Sequence, residues 1–295
     1  MERKTAADFD QELLILFDAY VHGAIDRRGF LDRAKKFAVG GVTAAMLLDQ
    51  LSPNFAEAQQ VAPDDKRLKT EYLTYPSPQG YDKTRGYLVR PAAGAAKLPG
   101  VLVIHENRGL NPHIEDIARR IALDKFMAFA PDALGPLGGY PGTEDEARKL
   151  FGTLDQAKTR EDMVAAAGWL KSRPDCTSRI GTVGFCYGGG VVRMLATRIP
   201  DLAAAVPFYG GHPDPSEASK IKAPILSHYA ENDARINAAQ PAWEEALKAA
   251  GVQFESHVYP GTQHGFNNDT TPRYDEAAAK LAWERTMAFF NKHLR

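Results

Sequence analysis

From residue 69 onward, short apolar runs alternate with stretches in which apolar residues recur every three or four positions. The runs at 99–105, which ends in His105, and 126–130 are short and apolar, as strands covered on both faces are. Residues 71–75 and 84–90 carry β-branched or aromatic residues between prolines and glycines, the mark of a strand pair. Further strands are predicted at 179–185, 203–209, 225–229 and 254–259. Helical spacing marks 114–124, 159–172, 240–250 and 275–292, and a further helix starting near Val191. The Gly- and Pro-rich stretch 134–142 reads as a loop. Strand–helix alternation of this kind predicts an α/β domain over 69–295, with a mostly parallel central sheet and helices on both faces.

The first 68 residues follow another pattern. Leu13, Leu14, Leu16, Phe17 and Tyr20 share one broad apolar face, which predicts an amphipathic helix. Residues 51–68 are polar and contain proline, as a linker does. Arg27-Arg28-Gly-Phe-Leu31 resembles a twin-arginine export motif, followed by a charge-free stretch from Phe37 to Leu48 and by Ala56-Glu-Ala58. A signal's leading region is short and basic, whereas this one is long and acidic. The favoured expectation is therefore a retained helical extension and a cytoplasmic protein, with export to the periplasm as the alternative. The charge-free stretch is too short to span a membrane.

Composition narrows the partners. Lys+Arg 36 against Asp+Glu 37 leaves no electrostatic case for nucleic acid. Cys176 precedes a strand that Cys186 ends, so at ~3.3 Å per residue roughly 20 Å separates them and no disulfide is expected. Cys176 reads as a surface or turn thiol, Cys186 as free. A small-molecule substrate is the partner implied, and a homo-oligomer stays open.

The chemistry concentrates at Arg179-Ile-Gly-Thr-Val-Gly-Phe-Cys-Tyr-Gly-Gly-Gly190. A strand, then Gly-x-Cys-x-Gly, then a helix is the layout of a nucleophile elbow, with Cys186 in the nucleophile's place. A thiol needs a base, a group that orients the base, and an oxyanion site. In α/β-hydrolases the order is nucleophile, acid, histidine, each after a strand. Asp233 and His264 fall in those places, with Glu231 as Asp233's rival. The loop His105-Glu106-Asn107-Arg108 follows the strand expected beside the elbow strand. The amides of Asn107 and Tyr187 are the candidate oxyanion donors. His105, His228 and His257 read as structural residues, and His22, His113 and His293 as surface ones. Gly188-Gly-Gly190 is no phosphate loop, since Arg193 occupies the last place of Gly-x-Gly-x-x-Gly.

Gly-Phe-Cys186-Tyr-Gly-Gly-Gly, His-Glu106-Asn, Asp233 and His264-Gly-Phe together resemble the dienelactone hydrolase family from about Glu71 to the C-terminus. The resemblance implies an α/β-hydrolase fold and hydrolysis of small esters or lactones without metal or organic cofactor. It makes Cys186 the nucleophile, His264 the base and acid, Asp233 its orienter, and Glu106 the group that holds the resting thiol. The family's substrate-carboxylate arginine, four residues after the histidine, is Asn268 here. The second arginine of that clamp has no counterpart in Ala133-Leu-Gly-Pro-Leu-Gly-Gly139. Arg108, Arg235 or Arg273 are the guanidiniums left to take that part, with Phe266 and Asn268 as further pocket candidates. A thioesterase, a small peptidase, or a non-hydrolytic binding protein on the same scaffold are the alternative readings.

Overall fold

In the computed structural model, which describes residues 4–295, four helices precede the first strand: α1 (Gln11–Val21), α2 (Arg27–Ala34), α3 (Ala44–Leu51) and α4 (Phe55–Ala58). Asp10, Asp26, Thr43 and Asn54 cap them by accepting hydrogen bonds from first-turn amides. An isolated helix of α1's length is marginal in water. Its apolar stripe is instead buried in a small separate core, with Leu13, Leu14, Phe17 and Tyr20 of α1 against Phe30 and Leu51. Arg27 and Arg28, the arginine pair of the export-like motif, open α2, and Arg27 pairs with Asp145 at 3.6 Å.

The stretch read as a linker is pinned to the larger domain. The amide of Val61 donates to Asp116 at 2.8 Å, Gln60 to Asp269 at 2.7 Å, and Arg119 Nε donates back to the Val61 carbonyl at 2.9 Å. These bonds tie the backbone and side chains of the stretch to buried charged groups of the larger domain.

Eight strands then form one sheet: β1 (Leu68–Ser77), β2 (Asp82–Pro91), β3 (Leu98–Ile104), β4 (Met127–Pro131), β5 (Cys176–Phe185), β6 (Ala204–Phe208), β7 (Ile225–Asn232) and β8 (Phe254–Gln263). Their order is β1-β2-β4-β3-β5-β6-β7-β8. β1 and β2 are antiparallel to their neighbours, and from β4 to β8 the pairing is parallel throughout. The connecting helices are α5 (Pro112–Leu123), α6 (Glu144–Gly152), α7 (Gln156–Ser172), α8 (Tyr187–Arg198), α9 (Ala234–Asn237), α10 (Gln240–Ala249) and α11 (Glu276–Leu294). Ile114 and Ile117 of α5 and Phe289 and Phe290 of α11 belong to the core on one face of the sheet. Met163 of α7, Val192 of α8 and Trp243 of α10 belong to the core on the other. This is the α/β-hydrolase architecture, with both faces of the sheet covered.

Two expectations are corrected. Cys176 is no surface thiol: it opens β5 and is buried, because the strand begins earlier than its apolar run suggests. His113 is buried against Asp269, at 3.2 Å. The loop after 134–142 runs into α6, which Thr143 caps with Glu144, Asp145 and Glu146 in its first turn. No helix among the described residues is long and apolar enough to cross a membrane.

Candidate active site

The C-terminal ends of β3, β5, β7 and β8 converge on one edge of the sheet, where parallel α/β folds place their ligand sites. Cys186 follows β5 directly and caps α8 with φ 55° and ψ −112°. A side chain in that left-handed region is strained, and a strained nucleophile is what a tight elbow produces. The frame is glycine by necessity. A Cβ on Gly188 would sit 2.3 Å from the carbonyl oxygen of Ile104, and one on Gly184 2.3 Å from that of Gly188. Since both obstacles are backbone, they cannot turn aside. We expect Gly188→Ala to cost at least about 3 kcal/mol of stability, read as a lowered urea midpoint. A midpoint within experimental error of the parent's would show that the elbow is looser than its contacts imply.

His264 follows β8, and its Nδ1 lies 2.5 Å from Oδ2 of Asp233, the residue after β7. Asp233, not Glu231, is therefore the carboxylate on this imidazole; Glu231 instead accepts from the amide of Gly261 at 2.8 Å. His264 and Asp233 are both buried. Nε2 of His264 has no hydrogen-bond partner of good geometry and lies within 4.8 Å of the Cys186 sulfur. Burial opposes charge on this ring, yet the thiolate of Cys186 and Asp233 lift its pKa to about 8.

The partner on the sulfur comes from the extension. His22, the residue after α1, places Nε2 3.2 Å from Sγ of Cys186. Its Nδ1 is 2.8 Å from the Asp18 carbonyl oxygen and 3.2 Å from the Asp18 carboxylate. The two imidazoles meet edge to face with centroids 4.7 Å apart. Burial pushes the thiol's pKa up, but the facing His22 and His264 bring it down to about 6. Burial likewise works against charge on His22, and the thiolate and Asp18 outweigh it, raising the ring to about 10. The sulfur is thus held between two Asp–His pairs, one from the sheet and one from the extension. His22 is no surface residue, as its place in the sequence suggests. The pairing spans 164 positions, and the sequence's trace of it is an amphipathic helix that must dock somewhere.

Glu106, expected on the thiol, accepts from Asn268 Nδ2 at 2.8 Å, so the recorded partner of the sulfur is His22. Asn107 sends its side-chain amide to the Val21 carbonyl at 3.0 Å, and Arg108 reaches the same oxygen at 3.1 Å. Both residues thereby fasten the end of α1. Tyr187 begins α8, so its amide has no acceptor inside the helix. Arg235 lies 3.1 Å from Nε2 of His22 and 4.0 Å from Asp18. Arg273, mostly buried, pairs with Asp18 at 3.5 Å. Phe266 is fully buried among Phe208, Tyr209 and Tyr259, so it is core and not pocket wall.

A cavity of ≈ 350 Å³ opens at the loop after β3, walled by Phe17 and Tyr20 of α1 and by Glu106, Arg108, Asn268 and Arg273. A second, of ≈ 550 Å³, lies across α1, bounded by Leu14, Asp18, Asp233, Arg235 and His264. The donor atoms of His22, Cys186 and His264 lie within 4.8 Å of one another, a set of the type that binds zinc. The guanidinium of Arg235 puts a positive charge against a cation there.

Comparison with known proteins agrees with this geometry. Residues 84–294 match the sequence model of the Dienelactone hydrolase family, and residues 1–39 match one described as YqhI-like. A Salmonella typhi protein named "Putative carboxymethylenebutenolidase" is 33% identical over 233 residues, covering 73% of this chain and 85% of that protein. The Escherichia coli K12 "Putative hydrolase fragment YghX" is 53% identical over 114 residues, covering 39% of this chain and 97% of the fragment. The crystal structure of a "Putative Dienelactone Hydrolase" from Klebsiella pneumoniae superposes with a TM-score of 0.66 at 29% identity, covering 76% of this chain and 99% of that one. With more than half its length matched and the elbow in place, the chain belongs to the dienelactone hydrolase family of carboxylic ester hydrolases.

Proposed function

We propose that the chain hydrolyses small esters or lactones through a Cys186 thiolate and an acyl-enzyme. The observation that carries this reading is the thiol on its strained elbow, facing an imidazole whose other nitrogen is fixed by Asp233. In this scheme the substrate carbonyl oxygen turns to the amides of Tyr187 and Asn107. The thiolate attacks the carbonyl carbon, the tetrahedral intermediate collapses, and the carbon–oxygen bond breaks. His264 then takes a proton from water, and the resulting hydroxide displaces the thiolate from the acyl group. A lactone's leaving oxygen stays tethered to the acyl group, so substrate release needs deacylation.

The ≈ 350 Å³ of the cavity at the loop after β3 favours a small substrate. Asn268 is occupied with Glu106 and the Thr270 hydroxyl, and so orients the cavity wall instead of clamping a carboxylate.

Intact mass spectrometry after brief exposure to an activated aryl ester tests the reading. We expect one acyl group, mapped to Cys186 by peptide digestion, that decays as the free acid appears. Turnover with no adduct on Cys186, even after rapid acid quench, favours another nucleophile. A stable adduct without turnover favours the binding protein.

A further inference from the structure

We propose that His22, carried in by the N-terminal extension, is a catalytic residue of this hydrolase, which holds the Cys186 sulfur as thiolate at rest and protonates the leaving oxygen during acylation. This rests on the cysteine-nucleophile reading and assigns a job that reading leaves open. A lone His264 has to serve both the leaving group and the attacking water. The structure provides a second imidazole on the same sulfur, 3.2 Å away, with its own carboxylate partner in Asp18. The extension is fastened at this point. The Val21 carbonyl, one residue before His22, accepts from both Asn107 and Arg108, and Arg273 reaches Asp18. A loosely draped segment makes no such set of bonds to the loops of the oxyanion site and the histidine.

The charged groups facing this contact pull in both directions, and Arg108 on the loop after β3 favours the thiolate. Asp18 and the Cys186 thiolate favour the protonated ring. His264 stands beside it with Asp233 behind. Arg235 opposes protonation from 3.1 Å, but its side chain is half exposed and solvated, whereas the sulfur is buried. Glu106 adds negative charge from the oxyanion loop and is bonded to Asn268, and Arg273 balances Asp18.

The proton balance closes. In the active form, populated as His264 loses its proton near pH 8, the sulfur is S⁻, His22 is protonated and His264 is neutral. Attack forms the S–C bond. Collapse breaks the C–O bond, and the His22 Nε2 proton goes to the departing alkoxide. Water then loses a proton to His264, its oxygen bonds the acyl carbon, and the C–S bond breaks to return S⁻ and the acid. The proton left on His264 returns to His22 by way of the sulfur or solvent. The net change is ester plus water to acid plus alcohol.

The test uses the full chain with His22→Gln, which keeps a polar group on the sulfur but cannot carry the proton. Iodoacetamide alkylation of Cys186 against pH reads the thiolate without any ester being turned over. The parent's rate should fall as pH drops through about 6, and the midpoint of the variant should rise by about one unit or more. Turnover should fall at least about tenfold more for an alkyl ester than for an aryl ester of the same acid, because only the poor leaving group needs the proton. Asp18→Asn, which leaves the ring in place, should move the midpoint in the same direction by less. An unchanged midpoint in both variants, or equal losses for the two esters, overturns the proposal. Faster turnover in either variant also overturns it, since the extension is then a plug. Those results leave the cysteine mechanism standing, which the acyl adduct tests separately.

Discussion

Cys186→Ala is expected to lower kcat/KM for every accepted ester by roughly a thousandfold or more while the protein stays folded. The size follows from what is removed. Without sulfur no acyl-enzyme forms, and the oxyanion amides are left to assist direct attack by water, which retains a small part of the rate. Little else changes, because the alanine Cβ follows the same backbone and the elbow's glycines still pack. The thiolate's loss does alter its neighbours. It is a leading cause of the raised pKa on both His22 and His264, so both rings should titrate lower in the variant. Two-dimensional NMR of the imidazoles reads this shift, and steady-state kinetics on an aryl and an alkyl ester read the loss. Turnover within tenfold of the parent's sinks the assignment of Cys186.

The sheet was legible because its evidence is local. An all-apolar run such as β3 reports its own burial, and the eight strands lie where their runs predict. Strand ends were less legible: β8 runs on to Gln263, where the sequence shows Pro260 and Gly261 and suggests a stop. The elbow was readable because Gly-x-Cys-x-Gly is one contiguous motif, although the backbone that demands glycine at 188 is that of Ile104 in β3. The choice between Asp233 and Glu231 was not, since both sit at the end of the same strand and a turn decides which one faces His264. α6 left a signal in Thr143 and the acidic first turn, masked by the Gly- and Pro-rich stretch before it. His22 is the instructive case. A histidine beside an amphipathic helix says nothing of a cysteine 164 positions away; only docking of α1 brings them together. The extension looked separable because its apolar core is its own, but its polar end belongs to the site. His264 is also distant from Cys186 in the chain, but it stands in the strand-end order of an α/β-hydrolase triad, and no such pattern marks His22.

Asp233→Asn should separate the two histidines. In the parent, the carboxylate accepts from Nδ1–H of His264 and leaves Nε2 with its lone pair toward the sulfur. The asparagine amide can instead donate to Nδ1, which puts the proton on Nε2 and removes the base. In the serine-protease template this change costs about ten-thousandfold. Here, with His22 still on the sulfur, the loss should fall on one step. Alkylation of Cys186 and the first acyl transfer should survive within about tenfold, while deacylation slows by roughly a thousandfold. An aryl ester should then give a stoichiometric burst of alcohol followed by a near-stop, with the acyl-enzyme visible by mass. The pH dependence has a definite sign. His264 is held at about 8 at rest, with the thiolate the largest influence raising it. Acylation removes that charge, so the ring's pKa drops and the neutral base is available near neutrality. Deacylation in the parent should therefore lose rate only as pH falls below the lowered value, and the pH profile of its single-turnover decay should lie to the acid side of 8. A profile centred at or above 8, or an Asp233→Asn variant that loses acylation and deacylation alike, would place His264 in charge of the resting thiolate and leave His22 without a share in it.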